Sequence, residues 1–320
     1  MAKNGLPAAM PNPSVGAVVV HDGQIIGEGF TSAYGGAHAE VNAIAFAKAN
    51  FPNLLADSTI YVSLEPCSHY GKTPPCANLI IDSGIKNVVI GTIDPFAKVA
   101  GAGIKKLMEA GCTVTMGVLE DECRESNRRF FTFHQKKRPF IILKWAETAD
   151  GFIAPKERNA QKPVWITNEY SRQLVHKWRS EEQAIVVGGQ TVLADNPSLT
   201  TRSWEGKSPL RVILDSKGTL PKDLAVYDTN AQSIFLETSK PQEVCNRLYD
   251  EGIQSVIIEG GAKTLQSFID ANLWDNARVF IGKTTFGEGV AAPVLSATAV
   301  LVGKRQIEDD LLISYKNKIS

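Results

Sequence analysis

Apolar, β-branched residues crowd positions 15–20, Asp22-Gly23 follows as a two-residue turn, and 24–30 returns, a pattern that predicts a hairpin. From 38 to 49 the composition becomes helical. The inner part, 41–47, is apolar almost all round, which predicts a helix buried in a core. Strand signals then recur at 59–64, 87–92 and 112–117, with helical stretches at 77–82, 103–110 and 120–133. Such alternation predicts a layered α/β domain over residues 1–137, its sheet mostly parallel after the opening hairpin. Lys136-Lys137-Arg138-Pro139 reads as a short basic connector, and a new buried strand starts at 140. Further strands are predicted at 184–187, 210–214, 233–236, 255–258 and 277–281, with helices at 170–181 and 242–251, so that a second α/β domain covers 138–320.

Composition narrows the function without naming it. Thirty-four basic residues balance thirty-four acidic ones, which gives no reason to expect nucleic acid as a partner. No apolar run approaches the roughly 18 residues that span a bilayer, and the first residues lack the apolar core of a signal peptide; a cytosolic protein is expected, with no membrane partner. Five cysteines are too few and too odd in number for a secreted disulfide framework. Cys112, Cys123 and Cys245 read as small apolar residues. Homo-oligomerisation is left open.

The chemistry concentrates in His38-Ala39-Glu40 and in the stretch from Pro66-Cys67 to Pro75-Cys76. One histidine and two cysteines supply the three protein ligands of an open zinc site, whose fourth position takes a reacting water. Glu40, two residues after His38 on a predicted helix, points away from the ligand direction and is the expected proton carrier. His-x-Glu followed by Pro-Cys and a further Cys is the zinc deaminase arrangement, with the glutamate outside the coordination shell. Both thiols are expected near helix N-termini, which favours thiolates. Pro11 and Pro13 are expected to hold Asn12 in an extended segment; a plain turn is the other reading. In the second half, two predicted strands run into Gly188-Gly189 and Gly260-Gly261, either as tight strand-to-helix turns or as places where a phosphate reaches backbone amides.

Pro11-Asn12-Pro13-Ser14-Val15-Gly16, His38-Ala39-Glu40-Val41-Asn42-Ala43, Pro66-Cys67-Ser68-His69 with Thr73-Pro74-Pro75-Cys76, and Val99-Ala100-Gly101 together resemble the bifunctional riboflavin-biosynthesis deaminase/reductases. The eight residues between Cys67 and Cys76 are the spacing of that family, where general nucleoside deaminases have two. The resemblance implies a cytidine-deaminase-like three-layer domain that deaminates a diaminopyrimidinone ribosyl phosphate. His38, Cys67 and Cys76 would be its zinc ligands and Glu40 its proton carrier; Asn12 would read the base, and His69, Lys72 and Thr73 would hold the substrate.

The second half, through Trp165-Ile166-Thr167, Asp195-Asn196-Pro197, Arg211-Val212-Ile213-Leu214-Asp215-Ser216 and Glu259-Gly260-Gly261, resembles the family's reductase, which has a dihydrofolate-reductase-like α/β fold and uses NADPH. By that likeness Trp165, Thr191, Asp195, Ser216, Gly260 and Gly261 would line the dinucleotide, and Lys144, Arg179, Arg202 and Glu259 would face the substrate. Asp195 is the first choice for the proton donor. Thr31 stands where the family carries His, Pro163 where many members carry a substrate-binding Ser, and Ala149 where they carry Leu. Two rival readings are a deaminase of tRNA or free nucleotides with an accessory nucleotide-binding domain, and a structural zinc module that recruits His69 as a fourth ligand.

Overall fold

The computed structural model describes residues 1–70, 74–96, 100–158 and 160–319. Two compact units make up the chain, Met1–Lys137 and Arg138–Ser320. Lys72 and Thr73, both expected to hold substrate, lie outside the described residues.

In the first unit, β1 (Gly16–His21) and β2 (Gln24–Phe30) form the predicted hairpin, closed by Asp22 and Gly23 with φ of 46° and 77°. Two positive φ values suit the twist of a two-residue turn and need an Asx-Gly pair. Helix α1 (Ala39–Asn50) follows, then β3 (Thr59–Val62), α2 (Cys76–Asp82), β4 (Asn87–Ile90), α3 (Ala102–Glu109), β5 (Thr113–Met116), α4 (Glu120–Ser126) and α5 (Arg128–Lys136). Among the described residues the sheet order is β2-β1-β3-β4-β5, antiparallel through β1 and β3 and parallel thereafter.

Two expectations change here. Helix α1 is not buried all round: Ala39, Ala43, Ile44 and Ala47 face the core, while Phe46 is 54% exposed. Apolar residues on every face carry no directional signal, so contact with the sheet decides which stripe is covered. The stretch predicted as one helix at 120–133 breaks at Asn127, whose side-chain oxygen accepts the Ser14 backbone N–H at 2.8 Å. That tertiary bond competes with helical continuation.

The second unit runs β6 (Phe140–Glu147), β7 (Phe152–Pro155), α6 (Glu169–Glu181), β8 (Ala184–Gly188), α7 (Gly189–Asp195), β9 (Leu210–Leu214), β10 (Ser233–Leu236), α8 (Pro241–Asp250), β11 (Ser255–Ile258), α9 (Ala262–Asp270), β12 (Asn276–Ile281), β13 (Gly289–Ala291), β14 (Ala299–Ile307) and β15 (Asp310–Asn317). Its main sheet is ordered β10-β9-β8-β11-β6-β12-β15-β14, parallel from β10 to β12. The parallel strands therefore end along one edge, where open α/β sheets bind ligands. Ile141, Leu143, Val186, Val256 and Ile258 are buried beneath it.

Sequence patterning misses the β14–β15 hairpin, whereas α7 and α9 follow the two glycine pairs as the strand-to-helix reading expects. Val300, Leu301 and Val302 of β14 are all exposed, so the strand shows no alternation. Arg138 is likewise not a solvated connector charge. It is 7% exposed and holds the Asp275 carboxylate through two bonds of 2.6 and 2.9 Å.

Candidate active sites

His38 is the N-cap of α1, with extended backbone, so its ring leaves the helix while Ala39 and Glu40 enter the core. Cys76 opens α2 after Pro75. Cys67 lies in the loop beyond β3; its Sγ accepts the Cys76 backbone N–H at 3.3 Å, and its carbonyl accepts that of Ala77 at 3.1 Å. The Cys67 thiol thus rests on the N-terminus of α2. His38 Nδ1 is 3.6 Å from Cys67 Sγ and 3.3 Å from Cys76 Sγ, and the three ligand atoms lie within 4.8 Å of one another.

This donor set fits zinc. Bonds of about 2.1 Å to nitrogen and 2.3 Å to sulfur around a tetrahedral ion give N···S edges of roughly 3.5 Å, close to the observed pair. A hydrogen bond with Cys76 holds the Cys67 thiol down at about 4, against burial and with help from His38. The same bond and burial push the Cys76 thiol up. A cation held between the two sulfurs favours both as thiolates. His69 is exposed and does not join the ligand cluster of the described residues, which removes the fourth ligand a closed structural site requires.

Glu40 is 3% exposed, and burial pushes its carboxyl up to about 7, near where a proton carrier works best. Its neighbours include the Cys76 thiol and His38. Asn12 is half-buried in a turn closed by its N–H on the Ala9 carbonyl at 2.9 Å, in place of the expected extended segment. A backbone bond three residues back outweighs the stiffness of the flanking prolines there. The Thr31 hydroxyl is buried and accepts the Val15 N–H at 2.9 Å, so it braces the residue that leads into β1. Asp94, absent from the sequence expectations, is a further carboxyl of this region: burial raises it, and Glu65, His69 and Cys67 all act on it.

In the second unit, Lys144 of β6, Arg179 of α6 and Glu259 after β11 meet. The Glu259 carboxylate takes Arg179 at 2.5 Å and Lys144 at 3.4 Å, with side chains 7%, 12% and 16% exposed. Burial pushes Glu259 up, but the two cations prevail and hold it at about 2. Lys144 is lowered all the same, because burial and Arg179 outweigh its carboxylate partner. Arg202 feels Arg179 and Glu259 and is held by Ser198 Oγ at 3.0 Å. His176, which sequence reasoning missed, stands a turn before Arg179, with Nδ1 3.0 Å from the Thr200 carbonyl. Burial and the arginines push it down to about 4, leaving it neutral.

Of the residues expected to line the dinucleotide, Thr191, Ser216, Gly260 and Gly261 follow the ends of β8, β9 and β11, whereas Trp165 lies on the loop before α6 and Asp195 at the last residue of α7. A Cβ on Gly260 would meet the Val187 Cα at 2.7 Å, and one on Gly188 the Thr264 Oγ1 at 2.7 Å. These glycines are required by packing between β8 and α9 as well as by any phosphate, so a valine at 260 displaces the strand and is no clean probe of nucleotide binding. Gly261, with φ 68°, faces the Thr191 hydroxyl, and Ser216 is exposed just past β9. This glycine cradle at the start of α9 leaves backbone amides open to an anion, which fits a dinucleotide phosphate. Trp165 is 55% exposed, with the Arg172 guanidinium 4.8 Å over its ring. Asp195 is ion-paired with Arg158. Pro163 is half-buried on the loop before α6.

Residues 1–92 match the cytidine and deoxycytidylate deaminase zinc-binding region, and residues 139–310 match the RibD C-terminal domain. The riboflavin biosynthesis protein RibD of Aquifex aeolicus is 38% identical over 99% of this chain and 95% of its own length; that of Bacillus amyloliquefaciens is 40% identical over 92% and 85%. The crystal structure of a diaminohydroxyphosphoribosylaminopyrimidine deaminase/5-amino-6-(5-phosphoribosylamino)uracil reductase from Thermotoga maritima superposes with a TM-score of 0.90 at 40% identity, covering 99% of this chain and 95% of that one. A zinc-binding deaminase fold with converged His38, Cys67 and Cys76, followed by a reductase fold and aligned end to end with these relatives, places the chain in the RibD family of bifunctional deaminase/reductases of riboflavin biosynthesis.

Proposed function

We propose that the first unit deaminates a diaminopyrimidinone ribosyl phosphate with zinc held by His38, Cys67 and Cys76, and that the second reduces the deaminated ribosyl chain to ribityl with NADPH. The observation that carries the first assignment is the convergence of one imidazole nitrogen and two thiol sulfurs beside a buried glutamate. Zinc, when bound, lowers the pKa of water and makes it a nucleophile at neutral pH. Glu40 takes the proton that water gives up as its oxygen adds to the amine-bearing ring carbon. It then returns that proton to the exocyclic amine, which leaves as ammonia. Asn12, His69, Lys72 and Thr73 are proposed to orient base and phosphate.

For the reduction, NADPH bound along the strand-end edge by Trp165, Thr191, Asp195, Ser216, Gly260 and Gly261 supplies the hydride. Arg179 and Arg202 suit the substrate phosphate, since fixed guanidinium groups bind it bidentately. Lys144, a buried cation with a lowered pKa, is better suited than Asp195 to give a proton to the opening ribose ring as its first carbon takes the hydride. Balanced charge favours a small-molecule substrate over nucleic acid. Among the described residues no helix is long and apolar enough to cross a membrane. Five free cysteines, two of them proposed metal ligands, suit the reducing cytosol.

Chelation provides the test. Stripping zinc from the full chain should stop ammonia release, while NADPH oxidation with the deaminated intermediate continues and the first unit stays folded by circular dichroism. If the stripped first unit unfolds and the zinc-loaded chain releases no ammonia from the diaminopyrimidinone, the site is structural and the proposal fails.

A further inference from the structure

Helix α3 starts without a cap of its own. Its N-cap is Gly101 in the left-handed region at φ 78°, followed by Ala102 and Gly103, so no local side chain can accept the free amides of the first turn. Glu65 accepts them from far along the chain. One carboxylate oxygen takes the N–H of Gly101 at 2.9 Å and of Asp94 at 3.3 Å, and the other takes Gly103 at 2.9 Å and Ile104 at 3.4 Å. The residue is 6% exposed, and its own N–H is held by the Thr92 carbonyl at 2.9 Å.

Stabilising a helix would be sufficient reason for a buried carboxylate. Its neighbours in sequence indicate more. Only Pro66 separates Glu65 from Cys67, and a Cβ on Gly103 would collide with the Pro66 carbonyl oxygen, so the peptide leading into the cysteine lies directly on α3. Cys67 is fastened on its other side to α2, by Cys76 N–H to Sγ and Ala77 N–H to its carbonyl. The loop is thus stretched between the starts of two helices, with the thiol between them.

We infer that Glu65 is a positioning residue for the deaminase: as a remote cap of α3 it fixes the loop that presents Cys67 to the metal. The inference rests on the proposal that His38, Cys67 and Cys76 hold zinc. Partners that hold metal ligands in place typically contribute about 10- to 100-fold in metal affinity.

The experiment measures zinc affinity of the full chain by competition with a chelator, alongside ammonia release at limiting and at saturating zinc, for wild type, Glu65→Gln and Glu65→Asp. Gln keeps the size but points amide hydrogens at backbone donors. It should weaken zinc binding by about 10- to 100-fold, with deamination lost at limiting zinc and largely recovered at saturating zinc, and NADPH-dependent reduction unchanged. Asp should fall between Gln and wild type. Wild-type zinc affinity in Glu65→Gln overturns the positioning role. If Glu65→Gln loses the folded first unit, Glu65→Asp decides: weakened, zinc-rescued deamination supports the role, and wild-type affinity overturns it. A wild-type chain that binds no zinc would defeat the metal assignment itself, which keeps the two failures apart.

Discussion

Glu40→Gln should slow ammonia release by about 10²- to 10⁴-fold, the usual contribution of a positioned acid/base group, while zinc content and NADPH-dependent reduction remain at wild-type levels. The amide nearly reproduces the carboxyl in volume, so α1 should pack as before around a site that is 3% exposed in the native chain. What it cannot do is take a proton from water and hand it to the departing amine. The cluster of nearby ligand atoms comprises His38, Cys67 and Cys76, without Glu40, so the ion should stay in place. Ammonia release within tenfold of wild type, with zinc bound, would remove Glu40 from the mechanism.

The reductase should respond as strongly, and in stability as well as rate, at Glu259. Glu259→Gln leaves Lys144 and Arg179 largely buried without their carboxylate, and breaking a buried pair from one side costs about 3–5 kcal/mol. Reduction should be lost with it, since both cations are proposed to face the substrate. The acid dependence gives a second signature. Glu259 is held at about 2, below its ordinary 4.5, so between those values the unfolded chain binds more protons than the folded one. Its contribution is complete above 4.5 and disappears as pH falls through about 2. His176 acts earlier in the same direction: depressed to about 4, it resists protonation in the fold, so stability falls as pH drops from 6.5 through about 4. Urea midpoints of the second unit across pH 7 to 3 should therefore fall steadily in wild type, and more shallowly below 4.5 in Glu259→Gln. Equal slopes in the two proteins would mean that Glu259 carries no such charge.

What could be read from the sequence depended on how far apart partners lie along the chain. The opening hairpin and the start of α1 announce themselves locally, through Asp22-Gly23 and through His38 ahead of a helical run. The metal cluster was legible because its ligands come from one histidine and two cysteines with family spacing. Glu65 was not, since its amide partners are 29 to 39 residues away and nothing local marks a carboxylate as a cap. His176 escaped for a related reason: on α6 it sits among buried Val175 and Trp178, and only the fold shows that it faces the Thr200 carbonyl. Gly260 was visible as a glycine but not as a packing necessity, because Val187 is distant in sequence. The exposed Phe46 shows the reverse case, because an apolar run does not by itself say which face of a helix is covered.

The pairing of Arg138 with Asp275 bears on how the protein can be taken apart. Helix α5 ends at Lys136, and two residues later Arg138 opens the second unit with its bidentate ion pair to Asp275. Asp275 also receives the Ile141 N–H at 2.7 Å, which places this guanidinium at the foot of the first strand of the reductase sheet. A gene fragment encoding the second activity must therefore keep Arg138 as its leading residue. Cutting at the more obvious Pro139 would amputate the counterion on which the sheet's first strand is seated.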